Sequence, residues 1–254
     1  MAVNFMRTGQ QGILVWDTET GYKFGIDLFL SDMDGRQVEN IVNAEDLSDV
    51  SLIFGTHDHV DHIDREAWKK IGKLYPSIKF VAPIAFKDNL PGDLGISADR
   101  FIFVDENISA DEGPVHIEAI PAAHEFLDTR EDGTHPYLIY IVSFNGKKLC
   151  HLGDTCLYEG IYGKLREKGP FDAMFVPING RDARRLKEDC IGNMTYQEAA
   201  DLVGTLKPGL AVPGHYDMFL FNSADPKEFK EYVEIKYPDQ KTDIYDVGKV
   251  VQIQ

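Results

Sequence analysis

The segment Thr56-His57-Asp58-His59-Val60-Asp61-His62 gathers three histidines and two aspartates within seven residues. Imidazole nitrogens and carboxylate oxygens are the donors that borderline divalent ions such as Zn, Mn and Fe accept. Side chains alternate along an extended stretch, so His57 and His59 point the same way and can grip one ion. Once the chain begins to curl, Asp61 and His62 turn toward a second ion nearby. Three more donors, His124, Asp154 and His215, stand further along, each just past an apolar run. Gly153 and Gly214 immediately precede two of them and allow the backbone to come close. Donors arriving from several strand ends are what a convergent metal site requires. Such a site lowers the pKa of bound water to about 7 and polarises a carbonyl or phosphoryl oxygen, which is hydrolytic chemistry.

Positioning these donors falls to short apolar runs bounded by Gly, Asp and Pro. Ile13–Trp16, Phe24–Leu30, Val50–Phe54, Ile78–Ala82 and Phe101–Val104 read as strands. So do Val115–Ile120, Tyr137–Phe144, Lys148–Leu152, Ala173–Ile178 and Leu210–Pro213. Tyr137–Phe144 is almost wholly apolar, as a strand covered on both faces is. A helix is expected at Asp64–Tyr75, with Asp64 as N-cap and Ala67, Ile71 and Leu74 on one face. Another is expected at Thr195–Lys207, where Thr195 and Glu198 form a capping-box pattern. A third starts at Pro226 behind Asp225, and a further candidate ends at Gly163–Gly169. Glu19-Thr20-Gly21 and Asn145-Gly146 punctuate hairpins, the latter as a type I′ turn. The histidine segment therefore occupies a strand-to-helix loop, where α/β proteins build ligand sites. With no Gly/Ser linker and no repeat, residues 1–254 read as one domain, a mixed α/β sandwich.

The series Thr56-His57-x-His59-x-Asp61-His62, His124, Gly153-Asp154-Thr155 and Gly214-His215 resembles the metallo-β-lactamase superfamily. The resemblance implies an α/β fold, a four-layer αββα sandwich with a two-metal site at one edge. It implies that one ion is held by His57, His59 and His124. The other is held by Asp61, His62 and His215, with Asp154 bridging and a hydroxide between the ions as nucleophile. Asp61 would then be catalytic as well as a ligand, orienting protons, while Asp58 is the superfamily's variable position. Within that superfamily, FGTHDHVDHID, HLGDT, Asn179-Gly180-Arg181, NMTYQEAADLVGTLKP and VPGHYDMFLFNSADP are similar to the L-ascorbate-6-phosphate lactonases. This similarity implies a lactonase opening a phosphorylated sugar-acid lactone.

Arg181, Arg184 and Arg185 lie close together beside Asn179, and guanidinium groups suit a phosphate or carboxylate. They are the candidate substrate-binding residues; the alternative is a surface loop whose charges pair with Asp182, Glu188 and Asp189. Two other functions fit the same donors: hydrolysis of a small phosphodiester or cyclic nucleotide, and a non-catalytic metal-binding regulatory module. Mn, Zn and Fe all suit these ligands, and no thiolate stands among them to favour zinc.

The chain of 254 residues carries 42 Asp+Glu against 26 Lys+Arg, a net charge of −16. That excess excludes a nucleic-acid polymer as partner, since phosphate backbones are read by Lys and Arg. A small anionic substrate and a homo-oligomer both remain open. The N-terminal sequence lacks the apolar stretch of a signal peptide, and no run approaches the ~18 apolar residues that span a bilayer. The three cysteines Cys150, Cys156 and Cys190 form no CxxC pair, so a reducing, cytoplasmic setting without membrane partners is expected. These thiols read as small buried or inert groups, Trp16 and Trp68 as packing residues, His116 and His151 as sheet histidines, and His135 and Tyr216 as loop packing.

Overall fold

A computed structural model describes residues 2–254. One sheet contains β1 (Val3–Gly9), β2 (Gly12–Asp17), β3 (Lys23–Ile26), β4 (Val50–Phe54), β5 (Lys79–Pro83) and β6 (Phe101–Val104). The other contains β7 (Ala110–Glu112), β8 (Val115–Pro121), β9 (Leu138–Phe144), β10 (Lys147–His151), β11 (Ala173–Pro177) and β12 (Ala211–Gly214). The final strand, β13 (Val250–Gln252), returns to the first sheet beside β1. The strand orders are β13-β1-β2-β3-β4-β5-β6 and β12-β11-β10-β9-β8-β7. Hairpins give antiparallel pairs, whereas β3 to β6 and β10 to β12 run parallel, so both sheets are mixed.

Alternation within the strands makes the layers. In β9, Leu138, Tyr140, Val142 and Phe144 face the first sheet's Phe5, Phe24 and Phe54, while Ile139 and Ile141 turn outward. That outward face is covered by α3 (Ile161–Lys168), α5 (Tyr196–Leu206) and α6 (Pro226–Lys236), while the short α4 (Ala183–Lys187) lies in the loop after β11. The outer face of the first sheet is covered by α1 (Arg65–Leu74) and α2 (Leu90–Leu94), with Trp68 and Ile71 of α1 fully buried. The resulting sequence of layers is helix, sheet, sheet, helix, the expected αββα sandwich. The apolar run of β9 is explained by its place between two cores rather than at a surface.

Helix ends obey their local chemistry. The Asp64 side chain accepts from the Ala67 amide to start α1, and Thr195 and Glu198 form the reciprocal capping box of α5. Asp225 caps α6, and Gly169 ends α3. Asn145 and Gly146 take φ of +48° and +79°, as the type I′ turn between β9 and β10 demands.

Three local expectations are corrected. The stretch Phe24–Leu30 is not one strand: β3 stops at Ile26, and Asp27 adopts φ +50° to carry its carboxylate inward. Leu74 is 45% exposed, because Trp68 takes the buried face of α1 with Ala67 and Ile71. The strands β1, β7 and β13 carry little strand signal in the sequence, because β7 and β13 are only three residues long and β1 interleaves polar residues with apolar ones.

Candidate metal centre

Every donor enters from the end of a strand. His57, His59, Asp61 and His62 occupy the loop between β4 and α1, while His124 follows β8, Asp154 follows β10 and His215 follows β12. The fold brings all of them to one edge of the sandwich. His57, His59 and His124 form one group whose ligand atoms lie within 4.8 Å of one another, and Asp61, His62 and His215 form a second. Asp154 sits between them: its Oδ2 is 3.4 Å from His124 Nε2 and 3.1 Å from His215 Nε2, and its Oδ1 is 3.2 Å from His62 Nε2.

The donor set fits divalent ions on its own geometry. His62 Nε2 and Asp154 Oδ1 are buried without a hydrogen-bond partner, a costly state unless something else satisfies them. His57 Nε2 and His59 Nδ1 are 2.9 Å apart, two imidazole nitrogens converging on one place. Burial pushes His57 well below its ordinary pKa, so it presents a lone pair. Burial alone would raise the Asp154 carboxyl, yet His215 and His62 beside it hold it well below the usual carboxylate range. The same carboxylates outweigh burial at His62, lifting it well above its ordinary value, and at His215, lifting it to about 9. A divalent cation held here would compete with those protons for the same lone pairs.

Support residues fix these rings. Asp27 is fully buried; its Oδ2 is 2.7 Å from His62 Nδ1 and accepts from Thr56 Oγ1 at 2.8 Å, and its Oδ1 accepts from the Thr56 amide. Nδ1 of His62 is thereby occupied and Nε2 is aimed into the cluster. Gly153 takes φ +54° and passes so close to Thr56 that a Cβ there would meet it at 2.8 Å. Tyr137 stands against His57 and His124, with ring centroids 5.3 Å from each.

A cavity of about 310 Å³ opens over the cluster. His59, Asp61, His124, Asp154 and His215 form its floor; Glu188, Asp189, Cys190, Phe219 and Phe221 form its walls. A larger depression of about 1110 Å³, between α1 and the loop around Asp32–Asn43, is lined by none of the donors. The candidate anion readers are dispersed around the first cavity rather than within it. Arg181 makes a double ion pair with Glu198 at 2.5 and 2.7 Å. Arg185 pairs with Asp182 and donates to the carbonyls of Asn179 and Ser223. Arg184 lines a neighbouring depression of about 480 Å³ with Lys187, sharing the Glu188 and Phe221 walls. Asn179 is buried and holds Asn222, which lines the metal cavity.

His135 binds Asp105 and Tyr216 accepts from Arg7, both as loop packing. His151 is buried at the end of β10, and His116 is a sheet histidine paired to Asp111. Asp58 turns away to clasp Arg65 at 2.6 and 2.9 Å. Cys150 and Cys156 are buried, and Cys190 lies half-buried beside the cavity, where burial pushes its thiol up.

A family model described as a beta-lactamase superfamily domain matches residues 25–216, the stretch that runs from β3 to just past His215. The chain belongs to the metallo-β-lactamase superfamily. A superfamily relative, a UPF0173 metal-dependent hydrolase of Pyrococcus abyssi, is 31% identical over 225 residues, covering 85% of this chain and 86% of its own. An N-acyl-phosphatidylethanolamine-hydrolyzing phospholipase D of Caenorhabditis elegans is 30% identical over 152 residues, 56% of this chain and 42% of its own. Among solved structures, the metallo hydrolase Igni18 of Ignicoccus hospitalis superposes with a TM-score of 0.76 at 23% identity, covering 100% of this chain and 99% of its own. This chain is thus a metal-dependent hydrolase of the metallo-β-lactamase fold. Among the described residues, no helix is long and apolar enough to cross a membrane.

Asp27, Tyr137 and the turn residue Gln10 were not singled out by sequence reasoning. Asp27 carried only a weak signal, a lone carboxylate inside the apolar run Phe24–Leu30, because its station at the exit of β3 appears only in the fold. Gln10 and Tyr137 carried none, since a glutamine in a turn and a tyrosine opening a strand are ordinary.

Proposed function

We propose that this metallo-β-lactamase-fold hydrolase uses two divalent ions to open a small lactone that bears an anionic arm. The observation that carries the hydrolytic reading is the position of Asp154 between two complete donor groups. His57, His59 and His124 would hold one ion, and Asp61, His62 and His215 the other, with Asp154 shared. Ions held there supply Lewis acidity and a water whose pKa is lowered to about 7. The chain's own residues do the rest. Asp61 is 15% exposed, faces the cavity and is placed to accept a proton from an attacking water. Phe219 and Phe221, stacked with ring centroids 5.7 Å apart, line the cavity and offer an apolar surface to the substrate's carbon skeleton.

The lactone itself is supported by the similarity of the His-Asp segments to the L-ascorbate-6-phosphate lactonases. The anionic arm would meet Arg184 and Lys187 in the depression beside the cavity; Arg185 lines the same depression, but its guanidinium is committed to Asp182 and to the carbonyls of Asn179 and Ser223, as Arg181 is to Glu198. A second reading, phosphodiester cleavage, is favoured by the Caenorhabditis elegans phospholipase D relative. Metal-reconstituted protein should be assayed on phosphorylated and unphosphorylated lactones and on small phosphodiesters. Turnover of the phosphorylated lactone, lost in Asp154→Asn, is the expected result. Turnover of phosphodiesters alone would replace the lactonase reading with the second one.

A further inference from the structure

Gln10 occupies the turn between β1 and β2, a place where a polar side chain normally points into water. Instead it is 1% exposed. Its Nε2 lies 2.8 Å from Asp61 Oδ2 and 3.1 Å from His215 Nε2. That same Asp61 oxygen is 3.4 Å from His215 Nε2 and 3.6 Å from His62 Nε2, so it is the oxygen the Asp61–His62–His215 group presents. Only an N–H can face a carboxylate at 2.8 Å, which orients the amide with nitrogen toward Asp61.

The turn is locked where it is. Its Gln10 carbonyl accepts from the His215 amide at 2.9 Å, and its Gln10 amide donates to Asp217 Oδ1 at 2.8 Å. Arg7, buried on β1, donates to Asp217 at 2.6 Å and to Tyr216 Oη at 2.7 Å. Gln10 and His215 both adopt left-handed backbone, at φ +52° and +57°. Two strained turns (one carrying a donor, the other an amide aimed at a second donor) are thus fastened by a backbone bond, by the Asp217 carboxylate and by its partly buried ion pair with Arg7. Gln10 makes no such contact with His57, His59 or His124 among the described residues.

We infer that Gln10 is a positioning residue for the second donor group. Its amide fixes the Asp61 carboxylate toward His62 and His215, and it sets the affinity of that group for a divalent ion while leaving the His57–His59–His124 group untouched. The glutamine is suited to this because it donates without adding charge beside Asp61 and Asp154. The inference rests on the metal-dependent reading above.

The test is calorimetric titration of chelator-stripped protein with Zn²⁺ and with Mn²⁺. Gln10→Met keeps the volume and removes the donor; it is placed in the wild type, in His59→Ala and in Asp61→Asn. In the His59→Ala background, where binding reports the second group, Gln10→Met should weaken the ion by about 10- to 100-fold. In the Asp61→Asn background it should change nothing. Gln10→Asn, whose shorter side chain keeps the amide, should recover part of the loss. Equal affinity with and without the Gln10→Met change in His59→Ala, or equal losses in both backgrounds, would overturn the inference. If the wild type binds no ion, the metal-dependent reading falls with it, a result separable from the first because the parent protein shows it.

Discussion

Asp27 Oδ2 and His62 Nδ1 lie 2.7 Å apart, and both side chains are wholly buried. One carboxylate thereby decides which nitrogen of His62 faces the other donors, and it does so from just past β3, a strand whose end contributes no donor of its own. Removing it leaves His62 and both the amide and hydroxyl of Thr56 without their acceptor. Asp27→Ala should lower stability by about 3 kcal/mol, since breaking a buried charged network strands its partners. It should also weaken divalent-ion affinity by about 10- to 100-fold. Asp27→Asn, which tolerates the left-handed backbone, should cost less in both. Denaturant titration and calorimetry measure the two effects separately.

Chelation gives the next expectation. Activity should vanish with a strong chelator and return on adding Zn²⁺ or Mn²⁺, and the ion should also stabilise the fold. At free ion one hundred times the Kd, linkage adds about 2.7 kcal/mol. Thermal melts of His57→Ala and of Asp154→Asn should show a smaller rise with added ion than the wild type. An identical rise in both variants would place the stabilising ion elsewhere.

Gly153→Ala tests the close approach at the metal edge. A Cβ there would lie 2.8 Å from the Thr56 Cβ, on a residue at φ +54°. Strain of both kinds should cost roughly 2–4 kcal/mol. Because Thr56 is held by Asp27 and Gly153 precedes Asp154, ion affinity should fall alongside the unfolding midpoint. A variant as stable as the parent would contradict the packing described.

The arginines should separate by what they touch. Arg181→Ala removes the double ion pair with Glu198 and should lower the melting temperature while leaving KM unchanged. Arg184→Ala should leave the melting temperature unchanged and raise KM for a phosphorylated lactone by about tenfold, the worth of one charged hydrogen bond. An unphosphorylated lactone should not register the Arg184 change. If KM for both substrates is unmoved, the anionic arm is read elsewhere.

Glu198 supplies a pH dependence. Half-burial alone would raise its carboxyl, but the bonds from Arg181 and the Thr195 amide prevail and hold it below the ordinary value. A depressed carboxyl contributes its stability in full above the unfolded pKa and loses it as pH falls through the folded one. The difference in melting temperature between wild type and Glu198→Gln should therefore be largest near neutrality and shrink below about pH 4.5, the usual glutamate range. A difference independent of pH would show that the helix cap, and not the ion pair, carries the effect.

Much of the architecture was legible locally. Caps at Asp64, Thr195 and Asp225, the Asn145-Gly146 turn and the strand runs each depend on neighbours within a few residues, which is how propensity and hydrogen-bonding side chains act. Less legible was Asp27, hidden because an apolar continuation to Leu30 made the strand look longer than it is. The arginine cluster shows a related limit: adjacency in sequence says nothing about direction, and in the fold Glu198 and the Asn179 and Ser223 carbonyls engage two of the three guanidinium groups.

By itself, the sequence determined the donor types, their order and their placement at strand exits, because histidine spacing and strand periodicity are local properties. Which donors meet was decided only by the tertiary structure. Gln10 reaches Asp61 across 51 positions and His215 across 205. Contacts of that span follow from the order of strands in two sheets, where the turn joining β1 to β2 in one sheet meets the exit of β12 in the other. Strand order is a property of the whole core, since each neighbour is chosen by how every other strand packs.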